Sequence, residues 1–101
     1  MSTEVKIRDI LENPEKFIEQ RVVLSATYLG WSGGDCDLLR SSMRTRSDVT
    51  LKDDTGCIFC DFIPGLSPSK TPVKIQLEAT VEVFQGRPRL KNPKLIRVLE
   101  E

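Results

Sequence analysis

A single stretch of the chain, from Val73 to Phe84, alternates between apolar and polar residues without a break. The apolar positions are Val73, Ile75, Leu77, Ala79, Val81 and Val83, and the polar positions are Lys74, Gln76, Glu78, Thr80 and Glu82. A period of two is that of a β-strand with one buried face and one solvated face. A strand of this kind has to pack its apolar face against further elements, so the stretch predicts a β-rich fold.

Three segments before this strand also predict strands. Arg21–Trp31 alternates in the same way and is long enough to pair with two neighbours. Two shorter strands are expected at about 47–52 and 57–63. They are joined by the tight turn Asp53–Gly56, in which we expect Gly56 to supply a positive φ.

The end of the chain predicts one more strand, at 88–92, after a turn at Gln85–Arg87. Pro93 is expected to end this strand, because proline has no N–H to donate to a neighbour. The apolar residues within 95–99 then form either an extension of the strand or a short helix.

The chain has 101 residues, which fits one domain. Residues 1–20 predict a helical segment that packs on the strands, with a helix at about 6–12 and a second turn at about 14–18. For residues 21–99 a small barrel is favoured over a sandwich, because two long strands can each bend across two sheets and remove exposed edges.

Several local motifs resemble the OB-fold. Val22–Ala26, followed by Gly30 and Trp31 at the strand end, looks like the first strand of that family. Leu51–Ile58 has the family's Leu-x-Asp-x-Thr-Gly-x-Ile pattern, and the hairpin around Gly86 is also similar. The resemblance covers about residues 20–92 and is closest to the tRNA-anticodon-binding and replication-protein-A-like members, which bind nucleic acid.

The resemblance implies a mainly β protein, a five-stranded OB-fold Greek-key barrel with a short N-terminal helical segment. Members of the fold bind oligonucleotides across the second and third strands, between the first–second and fourth–fifth loops. The implied partner is therefore single-stranded DNA or RNA, bound without catalysis and without a cofactor. The sequence departs from the family at Ala26, where many relatives carry glycine, and in its longer, charged first loop.

The candidate binding residues are the basic and aromatic side chains that this arrangement brings to one face. They are Trp31, Arg40, Arg44, Arg46, Phe59, Phe62, Arg87, Arg89 and Lys91. The basic groups, with Arg89 and Lys91 expected to point outward, would hold phosphates, and the aromatic rings would stack on bases. Phe59 and Phe62 differ in parity along their strand, so only one of them is expected to face a ligand.

Two other interpretations remain open. The loop arginines are simply solvated, or are neutralised by the neighbouring carboxylates of Asp35, Asp37 and Asp48. Alternatively the barrel is a protein-interaction module or a subunit of a larger complex. That use would show as an apolar surface patch formed by Trp31, Phe84 and Leu95–Leu99.

Composition argues against several other classes. The formal net charge is zero, so a polyanion partner has to be argued from how the charges are distributed. The chain has no histidine, and its serine, threonine and cysteine residues have no visible base beside them, so we expect no enzyme. It has neither an apolar run long enough to span a membrane nor a signal sequence, and we expect a cytoplasmic protein.

The three cysteines are Cys36, Cys57 and Cys60, an odd and sparse set that fits a reducing compartment. Cys57 and Cys60 have the C-x2-C spacing of zinc and redox pairs. Residues three apart on a strand point to opposite faces, however, so we expect both to act as small apolar side chains and no metal to bind there.

Overall fold

A computed structural model of the protein describes residues 3–30, 48–66 and 72–100. The chain is mainly β, with one short helix. The elements are β1 (Thr3–Glu4), α1 (Ile7–Glu12), a 3-10 turn (Pro14–Lys16), β2 (Arg21–Gly30), β3 (Val49–Asp53), β4 (Gly56–Cys60), β5 (Val73–Phe84) and β6 (Arg87–Glu100). The helix, the second turn and the long strand β5 lie where the sequence predicts them.

Five of the strands form one sheet that closes into a ring. β2 pairs antiparallel with β3 on one side and with β5 on the other. β3 pairs antiparallel with β4, β4 pairs in parallel with β6, and β6 returns antiparallel to β5. The two-residue strand β1 adds in parallel to β2. The prediction that β2 serves two neighbours is thereby confirmed.

The apolar side chains of the neighbouring strands β2 and β5 lie side by side in the core. Leu24 lies opposite Leu77 and Ala26 lies opposite Ile75, and all four side chains are buried. Burying a side chain such as leucine or isoleucine stabilises a fold by about 1.5–3 kcal/mol. The alternating apolar residues of the two strands therefore form one continuous buried face.

The last strand, β6, differs from its prediction because it continues through Pro93 to Glu100. The pairing of β5 with β6 shifts register near Gln76 and again near Glu78, and Asn92 has a φ of 50°. Irregularities of this kind let a strand accommodate a proline without losing its neighbour. The predicted end at Pro93 is wrong, and the strand extension at 95–99 is confirmed.

Helix α1 packs on the turn between β3 and β4. The side chains of Ile7 and Ile10 are buried, and Asp53 Oδ2 accepts a hydrogen bond from the Ile7 N–H at 2.9 Å. The predicted tight turn is confirmed, but Gly56 does not have a positive φ. A Cβ at Gly56 would lie 3.4 Å from Leu11 Cδ1, so the glycine lies where the helix approaches the turn. No helix in the described ranges is long and apolar enough to cross a membrane.

Candidate nucleic-acid interface

The structure describes five of the nine predicted binding residues: Phe59, Phe62, Arg87, Arg89 and Lys91. The other four lie outside the described residues, and they are Trp31, Arg40, Arg44 and Arg46. The described five lie along the end of β4, the segment that follows it, and the first part of β6.

Arg89 is fully buried and is surrounded by carboxylates. Its NH2 group donates to Asp48 Oδ2 at 2.8 Å and to Asp61 Oδ1 at 2.5 Å, and NH1 donates to Glu82 Oε2 at 3.0 Å. Burial lowers the pKa of the guanidinium, but the hydrogen bonds to Asp61, Asp48 and Glu82 outweigh it, so the pKa is raised. Arg89 is therefore a permanently charged group that already has three anionic partners.

The prediction that Arg89 points outward to solvent is wrong, although its parity along β6 is as expected. It lies opposite Glu82 on the side of the sheet away from Leu90, which is in the core. At 0% exposure its guanidinium does not reach solvent, where a phosphate would approach. The sequence could have indicated a buried Arg89 only through the carboxylates of Asp48, Asp61 and Glu82. These residues are spread over three segments and come together only in the fold.

Two further polar atoms are buried in this part of the ring. Tyr28 Oη and Arg89 Nε have no hydrogen-bond partner among the described residues. Burial raises the pKa of the Tyr28 hydroxyl, with a smaller effect from Cys60. Burial also raises the pKa of the Cys60 thiol, with a further contribution from the charge on Asp61. The Tyr28 hydroxyl and the Cys60 thiol therefore stay protonated and neutral well into the alkaline range.

The middle of the outward face of β3 and β4 is largely closed to solvent. Thr50, which pairs with Phe59, is only 3% exposed, and Cys57, which pairs with Lys52, is 4% exposed. Phe59 itself is half-buried. Phe62, beyond the end of β4, is 43% exposed. Of the two phenylalanines, Phe62 is therefore the one that is open to stacking.

The remaining two cations differ in their surroundings. Arg87 is exposed beside the turn that joins β5 and β6. Lys91 Nζ donates to both carboxylate oxygens of Glu19, at 2.9 and 3.0 Å, and its side chain is 22% exposed. A phosphate would compete with Glu19 for Lys91 but could approach Arg87 directly.

Cys57 and Cys60 have the C-x2-C spacing but do not come together as a zinc or redox pair. Cys60 lies opposite Val49 in the core and is a free thiol, whereas Cys57 is disulfide-bonded and faces the other side of the sheet. The expected opposite orientation is confirmed, but Cys57 is not the free thiol that the sequence predicted. Since disulfides are rare in reducing compartments, this bond does not favour the cytoplasmic assignment, which stays a prediction.

The last part of β6 carries an exposed apolar cluster. Ile96, Val98 and Leu99 are 47%, 40% and 45% exposed, and Leu95 packs partly against the core. Phe84, another member of the predicted interaction patch, is half-buried at the far end of the β5–β6 hairpin. The C-terminal part of that predicted patch is therefore present on the surface.

Comparison of the chain with protein-family models, curated proteins and solved structures finds no match.

Proposed function

We propose that this chain is an OB-fold domain that binds single-stranded nucleic acid. The order of the strands in the ring is the observation that supports the fold. Consecutive strands form tight hairpins at β3–β4 and β5–β6, whereas β5 crosses over to pair with β2 and β6 pairs in parallel with β4. A five-stranded Greek-key closure of this kind is the arrangement of an OB barrel.

The proposed contact surface comprises the outer face of β3 and β4, the segment that follows β4, and the β5–β6 turn. Phe62 provides an exposed ring, Phe59 a partly buried one, and Arg87 an exposed cation. Lys91 is available if a phosphate displaces Glu19. The same proposal extends to the candidates outside the described residues, Trp31, Arg40, Arg44 and Arg46. Arg89 is not part of it, because its charge is held inside the fold.

The binding energy in this proposal has two sources. Stacking of a base on an aromatic ring contributes about 1–3 kcal/mol and does not depend on sequence. Each phosphate held by a cation adds about −0.7 to the slope of log K against log salt concentration on single strands. Binding should therefore be weakly selective for sequence and should weaken as salt is added.

The test is fluorescence anisotropy with labelled oligo-dT and oligo-U over a series of salt concentrations. Phe62→Ala is expected to weaken binding by about 1–3 kcal/mol at every salt concentration, as loss of one stacking contact predicts. Arg87→Ala is expected to reduce the magnitude of the salt slope by about 0.7. Wild-type protein that does not bind either oligonucleotide, or binds with no salt dependence, would contradict the proposal.

Two matched variants serve as controls. Ile18→Ala is matched to Phe62→Ala, because it removes an apolar side chain that is 45% exposed and lies outside the proposed surface. Arg97→Ala removes an exposed arginine from the other end of the same strand as Arg87. Neither is expected to change the affinity, and an equal loss in the controls would show that the effects of Phe62→Ala and Arg87→Ala are not specific to the site.

The exposed cluster of Ile96, Val98 and Leu99 favours a second candidate, a protein-interaction module. Clustered apolar side chains on a surface are typical of sites that contact another protein. In that case the chain would show no salt-dependent binding of oligonucleotides. Its self-association, or its association with a partner, would instead be lost on substituting Ile96 and Leu99 with serine.

A further inference from the structure

A groove of about 540 Å³ runs along the outer face of β2, between β3 and β5. It lies away from the surface proposed above around Phe62 and Arg87, and the lining residues used below all belong to the described part of the chain. The side chains that matter for its chemistry are Lys6, Thr27, Leu29, Lys52, Lys74 and Leu99. The volume falls within the range of about 300–1,000 Å³ that is usual for small-molecule sites.

Lys52, Thr27 and Lys74 lie side by side across three strands. Thr27 pairs with Lys52 of β3 on one side and with Lys74 of β5 on the other. Residues that pair directly share a face of the sheet, with their Cβ atoms about 5 Å apart. The fold therefore places a hydroxyl between two lysines at the wall of a groove.

The acidic side chains that line the groove are already engaged elsewhere. Asp53 Oδ1 accepts from the backbone N–H groups of Thr55 and Gly56 at 2.7 and 3.1 Å, and its Oδ2 accepts from Ile7. Asp54 pairs with Lys6, its Oδ1 lying 3.3 Å from Lys6 Nζ.

Lys52 lies next to both aspartates in the sequence, yet its ammonium group forms no hydrogen bond or ion pair with them or with any other described residue. Its ammonium group is exposed and can bind an anion in the groove without first breaking an ion pair. The described residues that line the groove include three lysines and two aspartates, which leaves a net formal charge of +1, and no ion pair ties Lys52 to the aspartates beside it.

We propose that this groove binds the phosphate of a nucleotide-sized phosphomonoester, held by Lys52, Lys74 and the hydroxyl of Thr27. The ammonium groups supply charge without a fixed direction, and the hydroxyl donates to a third oxygen of the same tetrahedral group. Leu29 and Leu99 give the groove an apolar part where the uncharged portion of the ligand would lie. A dianion matches two lysines better than the single charge of a carboxylate does.

The phosphate could come from a free nucleotide or from the 5′ end of a nucleic acid strand. Both carry the same phosphomonoester, so the structure assigns the chemistry and the experiment distinguishes the sources. The groove contains none of the described residues of the proposed nucleic-acid surface (Phe59, Phe62, Arg87 and Lys91), so this inference does not rest on the proposed function.

The test follows backbone amide shifts by NMR while adenosine 5′-monophosphate is added to the 15N-labelled chain. Shifts are expected around Thr27, Lys52 and Lys74, and adenosine at the same concentration is expected to leave them unchanged. The double variant K52Q/K74Q is expected to weaken binding by at least about tenfold, since it removes two charge-assisted hydrogen bonds. Thr27→Val is expected to give a smaller loss, of about threefold.

Lys94→Gln is the matched control, because Lys94 is an exposed lysine on β6 that does not line the groove. It should bind adenosine 5′-monophosphate like the wild type. Circular dichroism of K52Q/K74Q should match that of the wild type, because both substitutions replace an exposed lysine on an outward face with a shorter, neutral polar side chain. A variant that is folded but no longer binds would support the proposal.

The second arm compares a short oligo-dT carrying a 5′-phosphate with the same strand ending in a 5′-hydroxyl. If adenosine 5′-monophosphate shifts the amide signals of the groove residues, the ligand is a free nucleotide. If only the phosphorylated strand shifts them, the ligand is the 5′ end of a strand. Shifts at Phe62 and Arg87 with either strand report the proposed function separately. The inference is overturned if neither probe shifts the groove, if adenosine acts as well as its phosphate, or if K52Q/K74Q binds normally.

Discussion

Arg89 NH2 and Asp48 Oδ2 are 2.8 Å apart, and both side chains are fully buried although the two residues are 41 positions apart in the sequence. The same guanidinium holds Asp61, which follows β4, and Glu82 of β5. One side chain thus joins the residue before β3, the residue after β4 and the last part of β5. The residue that the sequence predicts to hold a phosphate instead connects parts of the fold.

Arg89→Ala is therefore expected to act on stability. Removing one partner of a buried ion pair typically costs about 3–5 kcal/mol, because the remaining carboxylates are left without their counter-charge. We expect the free energy of unfolding to fall by about that amount. Urea denaturation followed by circular dichroism measures it.

Arg87→Ala provides the control, since the same type of side chain is exposed two positions earlier on the strand. It is expected to change the unfolding free energy by no more than about 0.5 kcal/mol. If Arg89→Ala does not fold, Arg89→Lys keeps the charge but cannot reach three carboxylates at once, and an intermediate loss is expected. Equal stability of Arg89→Ala and the wild type would contradict the structural role.

The protein should lose stability in alkaline solution. Burial raises the pKa of the Cys60 thiol above its ordinary value of 9.0, so the folded chain keeps a proton that the unfolded chain releases. The resulting stabilisation is complete below pH 9 and is lost as the pH rises above that value. For one proton the slope reaches about 1.4 kcal/mol per pH unit.

This prediction is checked by measuring the unfolding free energy between about pH 8 and pH 11 in the wild type and in Cys60→Ala. The variant should show a smaller loss over this range. Some loss should persist in it, because burial also raises the pKa of Tyr28 above its ordinary value of 10.0. Identical slopes in the two proteins would show that Cys60 titrates alike in the folded and unfolded chains.

Asp53 and Asp54 are neighbours in the sequence but should respond very differently to substitution. Asp53 accepts hydrogen bonds from the N–H groups of Ile7, Thr55 and Gly56 and so fixes both the β3–β4 turn and the start of α1. Asp53→Ala leaves these donors without a partner and is expected to cost about 1–3 kcal/mol. Amide hydrogen exchange at Ile7 should become faster.

Asp54→Ala is the comparison. Its only described partner is Lys6, and both side chains are well exposed, at 76% and 60%. Exposed ion pairs contribute at most about 1 kcal/mol, so the unfolding free energy should hardly change. Similar losses for Asp53→Ala and Asp54→Ala would contradict the role given to the turn.

Two glycines test which turn needs a positive φ. Gly86 has a φ of +80° and no atom within 4 Å of a built Cβ, so Gly86→Ala is expected to destabilise through the backbone alone, by about 1 kcal/mol. Gly56→Ala is expected to cost less, because its backbone is not in that region and the new Cβ meets Leu11 at ordinary contact distance. Thermal unfolding of both variants measures the difference, and a larger loss at Gly56 would reverse the assignment.

The sequence predicts the strands well where a local pattern decides them. The alternation of Val73–Phe84 gives the bounds of β5, and the Asp53–Gly56 turn follows from its residue types. Pro93 shows where local rules fail, because the pairing of β5 with β6 shifts register around it, with one extra residue on β6, and the strand continues past the proline. No pattern within β6 itself reports that shift.

The candidate site is less predictable for the same reason. Parity along β6 correctly separates Arg89 from Leu90, but parity says only which side of the sheet a residue faces. Whether Arg89 is exposed to solvent on that side depends on Asp48 and Asp61, which come from distant segments. Phe62 and Arg87 are exposed as a nucleic-acid site requires, and their role stays a prediction.

The most direct test of the account is an NMR titration of the 15N-labelled chain with a short oligo-dT or oligo-U. The account predicts shifts at Phe59–Phe62 and at Phe84–Arg87, which weaken as salt is added, with no loss of the Arg89 ion pairs. It is contradicted if no amide shifts, or if the only changes fall on Ile96–Leu99 and follow protein concentration.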